Sequence, residues 1–254
     1  LTQLNAFDSM SLNMAYDQVK DSLLVQFSAP FIDFQGNTLD SLNFHFLSHS
    51  SNADFMFGWN KIEAGPITIE RTVFDGQIAQ DALIIDFLVN EKEEKLFHIR
   101  SIMTLKGDTL IYHLDPDDFI LDKQAWQVPP NNRVAISDNF IDFENIDFEK
   151  GSQKIHVLSS QNPSGQDQLS VLFEHFDLTT VTTFFSNEVD LVNGIISGDF
   201  NLIDPFGSVG LESDVIVSDF SILEKNLGLL TLMGKSVSSA EYDFDLSLKE
   251  GPLV

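Results

Sequence analysis

The sequence predicts an all-β chain built of strand–turn–strand units, with at most one or two short helices. Three observations carry this expectation. Apolar and polar residues alternate with period two from end to end. Turn-forming clusters interrupt the alternation about every 10–20 residues, the spacing of an all-β sheet, barrel or solenoid. The 254 residues suit a single all-β unit, and a 43% hydrophobic share is that of a folded chain.

The elements follow in chain order. Met10, Leu12, Met14 and Tyr16 share one face, opposite Ser11 and Asn13. Leu23, Val25 and Phe27 repeat the pattern, then Leu42, Phe44 and Phe46, then Phe55, Phe57 and Trp59. Ile67, Ile69 and Val73 continue it, as do Phe97 to Leu105 and Leu110 to Leu114. Later strands hold Ile155 and Val157, then Leu169, Val171 and Phe173. In the stretch NGIISGDFNLIDPFGSVGLESDVIVSDFSI, Ile196, Phe200 and Leu202 precede the turn, and Leu211, Val215 and Val217 follow it. Tyr242, Phe244, Leu246 and Leu248 close the series. FQGNT, FDGQ, NEKEEK, LKGDT, EKGSQ and QNPSGQD read as turns. Asp177 is placed to cap one short helix carrying Leu178, Val181 and Phe185. A second helical pattern, FSILEKNLGLLTLMG, is broken at Asn226-Leu227-Gly228, which argues for a turn between strands. Pro129 and Pro130 allow a loose subdivision near residue 130 within one elongated segment, residues 1–254. The chain opens at Leu1, without Met, and closes beside a strand pattern, so it is expected to be part of a longer protein.

One-faced alternation gives each sheet a wet side and a dry side. The dry side is unusual in kind: 23 Phe against 3 Tyr and 2 Trp. Phe makes no hydrogen-bonding demand when buried. The formal charge of −25, from 39 acids and 14 bases, argues against nucleic acid, which needs Lys/Arg clusters. It also disfavours docking on an anionic membrane, and it keeps an edge-rich β protein soluble. The absence of cysteine removes disulfides, thiolate catalysis and Cys-ligated metal.

Catalytic patterns are missing. There is no G-x-S-x-G elbow, no dinucleotide or phosphate loop, and no H-E-x-x-H. His45 and His49 in one strand stand roughly 13 Å apart, too far to share a metal ion. Asp142 with Glu144, or Asp115 with Asp117 and Asp118, have the composition of a glycosidase pair or a hard-cation site. Such a pair needs an environment that splits its pKa values, and a solvated acidic face offers none. A sugar-binding face would expose Trp and Tyr, and only Trp59 and Trp126 are available as indoles. The expectation is therefore no catalytic residue, no metal and no cofactor.

Several motifs resemble the TamB/AsmA-like family in its Bacteroidetes form. GIISGDFNLIDPFGSVGLESDVIVSDFSILEKNLGLL fits that family's recurring unit through Gly194, Gly198, Phe200, Leu202, Asp219, Phe220, Ser221, Leu227 and Gly228. Trp126, Val128, Asn132, Ile141, Gly151, Gln153, Ile155 and Val157 match a second pattern, and QLSVLFEHFDLTTVTTFF a third. The matches run over about residues 105–235, while residues 1–104 share only the strand pattern. DPFGSVG departs from the family's usual turn. The resemblance implies an elongated sheet curled into a taco-like groove with a hydrophobic interior. It implies a periplasmic location in Gram-negative bacteria, with the parent protein anchored in the inner membrane. It implies phospholipid acyl chains as ligand and, through other parts of the parent, an outer-membrane barrel partner of the TamA type in outer-membrane protein assembly. The residues expected to line the groove are Phe44, Phe46, Phe55, Phe57, Ile67, Ile69, Phe200, Leu202, Val215 and Val217. Beside this stand two other readings from the residues. One is a β-sandwich or solenoid adhesion module that binds a protein or carbohydrate. The other is a carboxylate-pair hydrolase.

Overall fold

The structure, a computed structural model, describes residues 4–186, 190–238 and 241–251. Among them the chain is nearly all strand, in two antiparallel sheets that do not close into a barrel. The first, 15-stranded sheet holds β1 (Leu4–Phe7), β2 (Ser11–Asp17), β3 (Ser22–Phe34), β4 (Asn37–His49), β5 (Asn52–Trp59), β6 (Lys61–Ala64), β7 (Ile67–Ile69) and β8 (Arg71–Ala79). It continues with β9 (Ala82–Glu91), β10 (Glu94–Lys106), β11 (Thr109–Leu114), β12 (Ile120–Leu121), β13 (Gln124–Ala125), β14 (Arg133–Ile136) and β15 (Ile141–Glu144). The second, 7-stranded sheet holds β16 (Ile146–Lys150), β17 (Gln153–Gln161), β18 (Asp167–Asp177), β19 (Val192–Ile203), β20 (Gly210–Ile222), β21 (Lys225–Ser238) and β22 (Glu241–Glu250). Helix α1 (Thr179–Thr182) lies between β18 and β19. Asn145, at φ +53°, separates β15 from β16 and divides the two sheets.

Tight turns make this a meander. Gln35-Gly36, Gln80-Asp81 and Leu223-Glu224 each place two successive residues at positive φ. Such turns match the right-handed twist of paired strands, so each strand returns beside its predecessor. Two turn expectations are corrected here. FDGQ lies inside β8, where a Cβ on Gly76 would stand 2.1 Å from the ring of Phe55. That glycine admits a ring from the next strand, and the turn falls at Gln80-Asp81. Asn226-Leu227-Gly228 lies within β21 at a bulge against Phe220, and the reversal is made by Leu223-Glu224.

Register aligns the apolar faces across the strands. Leu12, Phe27, Phe44, Phe57, Phe74, Phe87 and Ile99 are successive partners across seven strands. In the second sheet Phe148, Ile155, Phe173, Gly198, Val215, Leu232 and Leu246 do the same. Gly198 interrupts that row because the backbone leaves no room. At φ +125°, a Cβ there would stand 2.0 Å from the Asp214 carbonyl oxygen.

The two ends of the strands differ. At one end stand short hairpins such as those after Ala79, Lys106 and Gln161. At the other end the chain makes three longer excursions, residues 60–70, 115–132 and a third described over 178–186 and 190–191. The middle excursion is closed at its neck by Asn132, which is 2% exposed. Its Oδ1 accepts from Leu114 N–H, and its Nδ2 donates to the carbonyls of Leu114 and Pro129, all at 2.7 Å. Gln127 then exchanges two backbone hydrogen bonds with Glu149 of β16, tying this excursion to the second sheet. Phe184 of the third excursion sits 5.9 Å from both Phe87 and Phe97 of the first sheet. The Phe185 carbonyl accepts from Thr68 N–H at 2.7 Å. Residues of both sheets, with Trp126, Phe119 and Leu121 among them, form one core.

Helix α1 is a single turn. Its N-cap is Leu178, which supplies no capping side chain, and the expected capping residue Asp177 stands one position earlier, where its Oδ1 accepts from Thr179 N–H and Oγ1–H. The expected buried stripe does not form, since Val181 and Phe185 are exposed and Leu178 and Phe184 reach the core. One turn is too short for helical spacing to fix a face.

Three substitutions test this architecture. Gly198→Ala is expected to lose about 2–4 kcal/mol from backbone strain and overpacking. Gly36→Ala has open space around its Cβ and is expected to cost only about 1 kcal/mol, from its positive φ. Urea midpoints compare the two. Asn132→Ala strands a buried N–H and C=O of Leu114 and is expected to cost about 2–4 kcal/mol.

Candidate functional site

The candidate site is the shared apolar face of the two sheets. Phe44 stands directly opposite Phe57, and Phe46 opposite Phe55, so four of the expected lining residues form one contiguous square on β4 and β5. Phe44, Phe46 and Phe55 are half-buried, and Phe57 is exposed at its margin. The ring of Phe57 lies 6.3 Å from Phe74, which lies 4.9 Å from Phe87. Trp59 extends the group edge-on to Phe57 at 5.7 Å.

The remaining expected residues are placed differently. Ile67 and Ile69 lie on β7, paired with Ala64 and Ile62 of the first excursion, not on the long strands. Phe200 and Leu202 are half-buried on β19, opposite Ser213 and Leu211. Val215 and Val217 are 3% and 5% exposed, inside the packed core. Phe74, Phe87 and Phe184 complete the aromatic surface and were not among the expected lining residues. Phe74 falls in the stretch read as a turn, and Phe87 in a run apolar on both faces. Only hairpin register could have put them in line with Phe44 and Phe57.

Exposure of this face rises outward from the middle. Val89 at the centre is 0% exposed, whereas Leu12, Met14 and Tyr16 on β2 are exposed at 61–64%. Tyr242, Phe244, Leu246 and Leu248 on the opposite edge strand, β22, are also exposed. Among the described residues both edge strands lack a second neighbour. The dry face is therefore sealed in the middle and open along both margins.

The opposite face is acidic where the alternation is clean. Asp199 faces Asp214, and Asp75 faces Asp86. Like charges directly opposite cost free energy; Arg100 at 3.6 Å offsets Asp86, and His98 Nε2 lies within hydrogen-bond reach of it at 3.3 Å. This face is not acidic throughout. Val73 beside Leu88 and Ile84 beside Ile102 make it partly apolar at the centre of the first sheet.

The acidic candidates resolve into ion pairs. Arg133 lies 3.6 Å from Asp142 and 2.8 Å from Glu144, so one guanidinium serves both carboxylates. Asp118 pairs with Lys95 and lies 3.0 Å from His98. The Lys95 hydrogen bond holds the Asp118 carboxyl below its usual range. Asp115 lies 3.6 Å from Arg100. Lys123 pairs with Glu91, which raises the ammonium's pKa. Together these contacts fasten the middle excursion to β9 and β10. Among the described residues no group of three or more His, Asp and Glu is arranged to hold a metal ion. His45 and His49 both lie in β4, and Trp126 is buried at 3% exposure. No helix among the described residues is long and apolar enough to cross a membrane.

No family model matches the chain, and neither a curated protein nor a solved structure matches it.

Asp122 and Asp118 give opposite pH signatures. Burial raises the Asp122 carboxyl, so its ionised form opposes folding. That cost is full above the folded pKa and fades as pH falls toward the unfolded value. Asp122→Asn is expected to raise the melting temperature at neutral pH, with the gain vanishing in acid. The residue's positive φ of +50° suits Asn. Asp118→Asn is expected to lower it at neutral pH. That loss disappears as pH falls through the depressed Asp118 pKa. Thermal melts from acid to neutral pH read both signs.

Proposed function

We propose that this chain is a non-enzymatic wall segment whose apolar face receives phospholipid acyl chains. The observation that carries the reading is one apolar face, continuous in register across each sheet and open at both margins. A face of Phe, Leu, Ile and Val needs no polar partner in its ligand. Burial of apolar surface contributes about 25 cal/mol per Å², and each buried CH₂ of a lipid about 0.8 kcal/mol. The net charge of −25 keeps such a face in solution without self-association.

The resemblance to TamB/AsmA-like proteins extends this reading to the cell. There the segment would belong to a periplasmic protein anchored in the inner membrane, passing lipid between membranes or assisting outer-membrane protein assembly with a barrel partner. A second reading is a sandwich-like interaction module that binds a protein or carbohydrate. It draws on the sealed centre, where Val215, Val217 and Trp126 meet protein and leave no ligand space.

Native mass spectrometry with added short-chain phosphatidylethanolamine separates the two. Retained lipid is expected, and Phe57→Asp is expected to weaken it about tenfold while leaving the unfolding free energy from urea titration within about 1 kcal/mol. Absence of any retained lipid from the folded wild-type protein would sink the acyl-chain reading and favour the interaction module.

A further inference from the structure

The two sheets are consecutive in the chain, yet no ladder joins β15 to β17. Where these two strands lie side by side, the hydrogen bonds between them run through a side chain. Phe143 N–H donates to Ser159 Oγ at 3.1 Å, and Ser159 Oγ–H donates to Asp142 Oδ1 at 2.7 Å. At the hairpin end of this seam the wall opens into a cavity of 340 Å³. Its apolar lining includes Phe140, Ile141, Leu169 and Phe206, and its polar lining includes Asp142 and Asp167. Phe140 and Phe206 are 40% and 46% exposed, on two different turns that meet across the opening.

The volume lies at the low end of the roughly 300–1,000 Å³ of ligand sites, which suits one hydrocarbon chain. Among the described residues no Lys or Arg lines it. Asp142 is compensated by the Ser159 hydroxyl and by Arg133 at 3.6 Å. Asp167 accepts a long 3.4 Å hydrogen bond from the neutral amide of Gln161. The lining thus combines apolar side chains with a net negative charge. Resting on the acyl-chain reading, we infer that this seam admits the single hydrocarbon chain of an amphiphile with a cationic, amine-bearing head, held over Asp167. An anionic head on the same chain is repelled there.

Calorimetric titration with monomeric dodecylammonium and dodecanoate tests this. Dodecylammonium is expected to bind at least tenfold more tightly. Net charge alone would favour the cation anywhere on this protein, so variants localise the effect. Asp167→Asn is expected to reduce the preference severalfold, and Asp75→Asn, on the acidic face away from the seam, to leave it unchanged. Leu169→Trp is expected to block both ligands, with Ile141→Trp as a second filling variant should the first fail to fold. Equal effects of Asp167→Asn and Asp75→Asn would overturn the seam as the selective site. Binding lost in Phe57→Asp but kept in Leu169→Trp and Ile141→Trp would overturn the seam and leave the acyl-chain reading standing. Binding of neither ligand to the wild-type protein would remove both.

Discussion

A long antiparallel meander with one dry face must cover that face, and the rest of this structure follows from how it does so. Among the described residues there is no separate layer of helices, so the sheets meet across their own apolar rows. The meeting is made at one end only, where the middle and third excursions carry Phe184, Trp126, Phe119 and Leu121 into the gap. Burial there is close to complete, and it falls away toward β2 and β22. Because apolar burial scales with area removed from water, the packed end carries the stability and the open margins contribute little of it. The margins are where a hydrophobic ligand would gain most.

The excursions close that end through polar contacts as well as packing. Asn132 joins the two stems of the middle excursion, and its three hydrogen bonds satisfy backbone groups that no strand partner reaches. A buried amide of this kind stabilises little by itself, but its removal leaves donors and acceptors unpaired in a dry setting. The ion pairs of Lys95 with Asp118 and Lys123 with Glu91 lie on the surface of the same region. Exposed pairs of this kind contribute modestly to stability. They hold the excursion against β9 and β10 and set its position, while the aromatic core sets its energy.

The wall also explains why glycines recur in strands. Gly76 accommodates the Phe55 ring, and Gly198 allows the β20 backbone to come close. A strand residue without a side chain weakens the sheet locally, and here each gap is filled from a neighbouring strand. The seam between β15 and β17 is a different kind of gap. A serine hydroxyl stands there in place of a carbonyl, and the wall opens beside it.

Strand content, the one-faced pattern and the scarcity of helix were legible in the residues, because period two and turn chemistry are local properties. The alternation of Ile196, Phe200 and Leu202, then Leu211, Val215 and Val217, reads directly as β19 and β20. The local pattern could not say which side chains line up across strands, since a shift of one residue in a hairpin moves every partner to the other face. That decision was made by turns such as Gln80-Asp81, whose residues carry no strong turn signature. Nor could it separate Val215, which is sealed in the core, from Phe57, which is 36% exposed on β5. Both are apolar residues on the dry face. Only the long-range meeting of two sheets at one end decides which of them touches protein.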